Sequence, residues 1–168
     1  MNEPGRAAFR RTVGAFPTGV TLVTALTPAG PWGMTVSAFT SVSLDPLLVL
    51  VSLAAGCRLG AAITDSGMFA VSVLPSGATE VARRFAAKVR PGGWPAFRDL
   101  GATAAPVSGC PMLESAPARF DCRVHAVYPA GDHELLLGEV VWFDGSDGDP
   151  LVFAHSRYAA LEAPRPVH

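Results

Sequence analysis

ARFDCRVHAVYPAGDHELLLGEVVWF, residues 118–143, holds two long runs of β-forming residues, Ala118–Tyr128 and Glu134–Phe143, separated by Pro129–His133. Gly131 and Asp132 are turn formers, so the stretch reads as two antiparallel strands joined by a hairpin loop. Working outward, four shorter runs have the same character: Val20–Thr27, Gly33–Phe39, Leu47–Leu53 and Met68–Leu74, the first two joined by a turn at Pro28–Pro31. A turn at Asp144–Asp149 leads into a last short strand, Leu151–Phe153. Three segments carry helical spacing instead. The first has Phe9, Val13 and Phe16 on one face, with Asn2 as N-cap, Pro4 near the first turn and Pro17 as its end. The second, Arg58–Ser66, stops at Gly67. The third, Thr79–Val89, places Val81, Phe85 and Val89 in one stripe and ends before Pro91. Pro91–Pro117 is rich in Pro, Gly and Ala without a steady period and reads as a long functional or interfacial loop. The expected fold is mainly β, an antiparallel barrel with short α-helices at its rim, and residues 1–168 are read as one domain.

Hydrophobic residues make up 49% of the chain and charged ones 16%, with a mean hydropathy of +0.33. An isolated copy has too little polar surface to cover so much apolar material, which predicts burial against a second copy, a homodimer. The net charge of −1 and absence of a basic tract argue against a nucleic-acid partner. Charges interrupt the N-terminal apolar residues, unlike a secretory signal. The longest apolar stretch, Leu47–Ala55, is far shorter than the roughly 20 residues that cross a bilayer. A cytoplasmic protein with no membrane contact is expected. Cys57, Cys110 and Cys122 are odd in number and lack C-x-x-C spacing, and the four histidines are scattered, so neither a disulfide framework nor a metal site is expected. G-x-G-x-x-G, the P-loop and G-x-S-x-G are all absent.

Three constellations carry chemistry. Thr35, Ser37, Ser41 and Ser43 share sequence parity, so in one extended strand their hydroxyls line one face and suit a ring's carbonyls or a phosphate. The same row also suits a solvated outer face. Arg84 and Lys88, four apart in the third helix, border its apolar stripe and suit an anion, with Arg58 before the second helix as a further anion contact. Solvated helix charges are the competing reading. His133, at the end of the Gly131-Asp132-His133 loop, stands where an imidazole can meet a ligand at a barrel mouth, although spacing alone favours a plain turn. His155, with Arg157 and Tyr158 behind it, is a further polar cluster.

FPTGV (Phe16–Val20), GMTVSAFTSVSLDP (Gly33–Pro46), FAVSVL (Phe69–Leu74), RRFA (Arg83–Ala86), GDH (Gly131–His133) and HSRY (His155–Tyr158) occur in register over nearly the whole chain. Together they resemble the flavin reductase-like family. The resemblance implies a homodimeric FMN-binding split barrel that takes hydride from NAD(P)H and supplies reduced flavin to a separate flavin-dependent monooxygenase. FMN is the implied flavin, with FAD as an alternative. The implied flavin contacts are Met34, Thr35, Ser37, Ser41 and Val42 along the ring and ribityl chain, and Pro17, Thr18 and Gly19 near the ring. Ser52, Leu53, Ala54, Cys57, Arg58 and Leu59 lie near the phosphate, with Arg84, Phe85 and Lys88 beside it, and His155 and Tyr158 are further implied cofactor contacts. GDH is associated with the pyridine nucleotide, which makes His133 the implied catalytic residue. Hydride transfer asks for stacking and electrostatic support more than for a general base, so the lack of an evident acid–base pair is consistent.

The chain departs from the family at Cys57-Arg58-Leu59, where Ser-x-Thr is usual, so two phosphate-binding hydroxyls are missing. Ser72 stands where the family has Asn. The altered phosphate segment keeps a second reading open: a flavin-binding protein or dedicated biosynthetic flavoenzyme without general reductase activity.

Overall fold

A computed structural model describes residues 5–161. In chain order the elements are α1 (Arg6–Val13), β1 (Thr18–Gly19), β2 (Thr21–Thr27), β3 (Gly30–Val36), β4 (Phe39–Leu44), β5 (Leu47–Ala54), α2 (Arg58–Ser66), β6 (Met68–Val73) and α3 (Thr79–Ala86). They continue with β7 (Ala102–Ala104), β8 (Pro111–Leu113), β9 (Ala118–Ala130), β10 (His133–Gly145), β11 (Val152–Ala154) and β12 (Arg157–Ala159). The N-cap expected at Asn2, with Pro4, lies outside the described residues.

One antiparallel sheet runs in the order β3-β2-β6-β9-β10-β5-β4. Its edge strands β3 and β4 are consecutive in the chain, with only Ser37 and Ala38 between them. Val23, Val36, Val51, Phe69, Cys122 and Leu136, contributed by six different strands, are buried in one core cluster, so the sheet curls around them. Among the described residues no ladder joins β3 to β4. The barrel therefore stays split along this seam, while the Ser52 N–H bond to the Ala38 carbonyl at 3.0 Å extends the β4–β5 ladder up to the turn. Leu59, Ala62 and Ile63 of α2 join the same core. That helix begins where Cys57 Sγ accepts the Gly60 N–H at 3.3 Å and stops at Gly67, whose φ of +70° favours a residue without Cβ.

The hairpin that opened the reading forms as expected, longer by a few residues. Its ladder shifts at Leu137/Gly138, where a Cβ on Gly138 would lie 2.8 Å from Cε1 of the buried Phe69 ring. The outer face of β2 and β6 is covered by a second cluster that includes Leu22, Leu74, Ala82, Phe85, Phe97 and Leu113. Thr24 lies on this covered face and Thr21 on the barrel side; both are buried, and their hydroxyls donate to the carbonyls of Pro111 at 2.7 Å and Val36 at 2.8 Å. Among the described residues no helix is long and apolar enough to cross a membrane.

Three expectations need correction. The segment 91–117 is folded rather than a loop, with 3₁₀ turns at Trp94–Ala96 and Arg98–Leu100 and the β7–β8 hairpin. Buried Asp121 holds it by accepting the N–H groups of Val107 and Ser108 at 2.8 and 3.0 Å. Second, α3 ends at Ala86, three residues before Val89. Arg90 precedes Pro91, a position that disfavours helical backbone, and Arg90 turns back to donate to the Phe85 carbonyl. Third, the expected strand Gly33–Phe39 breaks after Val36 and restarts as β4 at Phe39. Thr35 therefore lies on one sheet edge and Ser41 and Ser43 on the other, and the shared hydroxyl face does not form.

Candidate functional site

The seam leads to two facing arginines. The start of α2 carries Arg58 over the Trp32 ring of β3, 3.9 Å from its centroid, and Arg90 approaches the same ring at 5.8 Å. Cation–π attraction holds a guanidinium at such distances, and Gly92 makes room for the ring, since a Cβ there would lie 2.9 Å from Trp32 Cε3. Among the described residues neither arginine forms an ion pair, and the Arg90 Nε is buried with no hydrogen-bond partner. Burial pulls the Arg90 guanidinium below its usual range, partly offset by the neighbouring Cys57. Two like charges beside one indole, with donors still free, make a cationic donor set fitted to a phosphate.

The second part of the site adjoins the first through β5. His133 opens β10 directly opposite Ala54, and the Ala55 N–H donates to the Asp132 carbonyl at 3.0 Å. The hairpin tip is thus tied to the β5–α2 connection that leads to Arg58. His133 Nδ1 lies 2.8 Å from Asp132 Oδ1, and Asp132 Oδ2 accepts from Arg6 of α1 at 2.8 Å. The hydrogen bond with His133, and then the charges of His133 and Arg6, hold the Asp132 carboxyl below the usual carboxylate range. An ionised Asp132 fixes the ring through Nδ1, and Nε2 has no hydrogen-bond partner among the described residues. In front of it opens a cleft of about 870 Å³, lined by Arg6, Phe9, Arg10, Asp132 and His133.

A third group sits on the small sheet β1-β11-β12. Thr18 is opposite Phe153, whose ring lies 5.2 Å from that of Tyr158. Thr18 Oγ1 is buried without a partner. The His155 N–H donates to the Gly14 carbonyl at 2.6 Å, so His155 anchors the end of α1 through its backbone while its side chain stays exposed.

The expected site residues thus fall into distinct classes. Ser52, Ala54, Cys57 and Arg58 gather along β5 and α2 with His133 nearby. Half-buried Met34 lies on the β3 side of the seam, exposed Ser37 at its turn, and exposed Ser41 and Val42 on β4. Pro17 and Gly19 are exposed beside Thr18. Leu53, Leu59 and Phe85 are core residues, at most 1% exposed, whose side chains cannot reach a ligand. Arg84 is paired with Asp99 at 2.9 Å, and that hydrogen bond lowers the Asp99 carboxyl. Lys88 lies exposed beyond the end of α3, so the expected Arg84–Lys88 face does not exist. The structure adds Trp32, Arg90 and Arg6 to the candidate site, and gives Asp132 of the GDH motif a partner on either side. The Arg90-Pro91-Gly92 run was the available signal for Arg90: a helix stop followed by a residue without a side chain.

The flavin reductase-like domain family matches residues 13–162. The FMN reductase (NADH) SmoA of Agrobacterium fabrum is 44% identical over 88% of this chain and 81% of its own length. BorF, the flavin reductase component of a bacterial two-component tryptophan halogenase, superposes with a TM-score of 0.90 at 32% identity, over 95% of this chain and 100% of that one. The NADH:FAD oxidoreductase SgcE6 of Streptomyces globisporus, solved in complex with NAD and FAD fragments, gives 0.89 at 36% identity, over 98% and 97% of the two chains. This chain belongs to the flavin reductase-like family.

Thr35 separates a structural hydroxyl from a ligand contact, because its Oγ1 donates to the Ala82 carbonyl of α3 at 2.8 Å. Thr35→Val is expected to cost about 1 kcal/mol of stability in urea unfolding and to leave FMN affinity within about twofold. Unchanged stability with a large loss of FMN affinity would return Thr35 to the ligand.

Proposed function

We propose that this chain is a single-domain NAD(P)H:flavin oxidoreductase that reduces FMN, or FAD in its place, and passes reduced flavin to a separate flavin-dependent monooxygenase. The observation that carries this reading is the uncompensated Arg58–Trp32–Arg90 stack at one end of the β5–α2 connection, with an Asp132-held His133 beside that connection. The residues present fit a flavin: two guanidiniums for its phosphate, and the buried, unpartnered Thr18 Oγ1 as a free polar contact for its ring. Arg58 and Arg90 take over from the two hydroxyls lost at Cys57 and Leu59.

When bound, FMN supplies the hydride-accepting ring. The chain's own work is positional. Met34, Ser37 and Ser52 border the seam, and Arg58 and Arg90 hold the phosphate end. His133, fixed through Nδ1, presents Nε2 to the nicotinamide side and orients it against the flavin face. No general base is required, because no proton has to leave carbon when a hydride moves between the two rings.

The working form is a homodimer in the cytoplasm. Its support is an apolar groove of about 230 Å³ lined by residues including Leu44, Leu47, Val49, Phe120, Val140 and Phe143, with Leu44 and Phe143 86% and 62% exposed. Exposed apolar surface of this kind is normally covered. Sedimentation at micromolar concentration is expected to read twice the 17.4 kDa chain mass; an active species of one chain mass contradicts the dimer.

The enzymatic reading is tested by mixing the protein with NADH and FMN and following nicotinamide absorbance. Arg58→Ala and Arg90→Ala are each expected to raise the KM for FMN about tenfold or more, the effect of one lost charge-assisted hydrogen bond. The KM for riboflavin, which has no phosphate, should rise much less. Flavin binding without NADH or NADPH oxidation would instead favour a flavin-binding protein or dedicated biosynthetic flavoenzyme.

A further inference from the structure

The helix α1 presents a cationic face of which Arg6 is paired within the fold and Arg10 is not. Arg6, Phe9 and Arg10 are spaced i, i+3, i+4 and so share one side of the helix, and all three line the cleft in front of His133. No residue of α1 is buried, and Phe9 is 63% exposed. Core packing therefore does not explain where the helix sits. It is held at its two ends instead: Arg6 pairs with Asp132 at 2.8 Å, and the Gly14 carbonyl accepts the His155 N–H at 2.6 Å. Arg10 has no ion-pair partner among the described residues.

We propose that Arg6 and Arg10 of α1 grip the diphosphate of NAD(P)H in the cleft that contains His133, with Phe9 offering a flat apolar surface to one of its rings. This rests on the reading of His133 as the nicotinamide contact. In a dinucleotide the diphosphate lies one ribose away from the nicotinamide ring. Arg6 is likewise one side chain away from His133, through Asp132. The charged groups facing the cleft are Arg6, Arg10 and Asp132, a cationic balance before any contribution from His133. A diphosphate carries the opposite sign and accepts guanidinium hydrogen bonds in pairs. Asp132 thus has two tasks: it sets the imidazole and positions Arg6.

The test compares NADH with reduced nicotinamide riboside, which has the same reacting ring and no phosphate, as donors to FMN. Wild-type protein should show a much lower KM for NADH. Arg10→Ala is expected to raise the KM for NADH about tenfold, to narrow the preference for NADH over the riboside by the same factor, and to weaken NAD⁺ binding in calorimetry about tenfold. Arg10→Lys should recover part of each effect. Arg10 is exposed on a helix with no buried residue, so these variants should fold as the parent does. If Arg10→Ala keeps the wild-type KM for NADH and the wild-type NAD⁺ affinity, the inference is overturned, and α1 faces solvent or a second copy of the chain. If the wild-type protein oxidises neither donor, the reductase reading itself fails.

Discussion

The two edges of the curled sheet are consecutive strands that do not pair, and the site follows from that constraint. Ser37 and Ala38 carry the chain from β3 to β4 across the seam, and the Ser52–Ala38 bond ties the end of that crossing to β5. A fully closed small barrel would fill its interior with side chains and leave a ligand only the mouth. Here α2 packs Leu59, Ala62 and Ile63 into the barrel core, so its first residue, Arg58, is delivered to the edge strand β3 and its Trp32. The β5–α2 connection then lies beside the β9–β10 hairpin, through the bond between Ala55 and Asp132. The Arg58–Trp32–Arg90 group and the His133 group are neighbours because both adjoin the end of β5.

Electrostatics separates working charges from neutralised ones. Arg83, Arg84 and Arg119 each have a carboxylate partner, and exposed pairs of this sort contribute little to stability. Arg58 and Arg90 differ, since they converge on one indole with no carboxylate between them. Like charges held together in a folded protein are unfavourable until an anion arrives, so the arrangement points to a ligand rather than to stability. The Arg90 side chain supports this, because its Nε is buried yet unpartnered.

The legible parts of the fold were those whose signals are local. The hairpin 118–143 announces itself through two β runs around a turn, and α2 through its spacing and Gly67; both formed close to the expected limits. The hydroxyl row failed for a physical reason. Parity arguments assume one continuous strand, and the break at Ser37–Ala38 carries no Gly or Pro to mark it. The stripe Val81–Phe85–Val89 similarly suggested a longer helix, whereas the backbone turns extended at Ala87 and leaves Val89 93% exposed. Phosphate-side cations were assigned to Arg84 and Lys88 by that helical spacing. The structure gives Arg84 to Asp99 and brings Arg90 to Trp32, a contact between distant segments that no local pattern encodes. The family resemblance pointed to His133, but its coupling to Arg6 through Asp132 needed the folded chain.

A crystal structure of the protein with FMN bound tests the central claim, that the seam and the arginine pair together form the flavin site. The account predicts the FMN phosphate within hydrogen-bond reach of both Arg58 and Arg90, the ring extending along the seam toward Ser37, and one ring face open to His133. A phosphate held instead by Arg84 or Lys88 on α3, or a ring bound away from the seam, would contradict it.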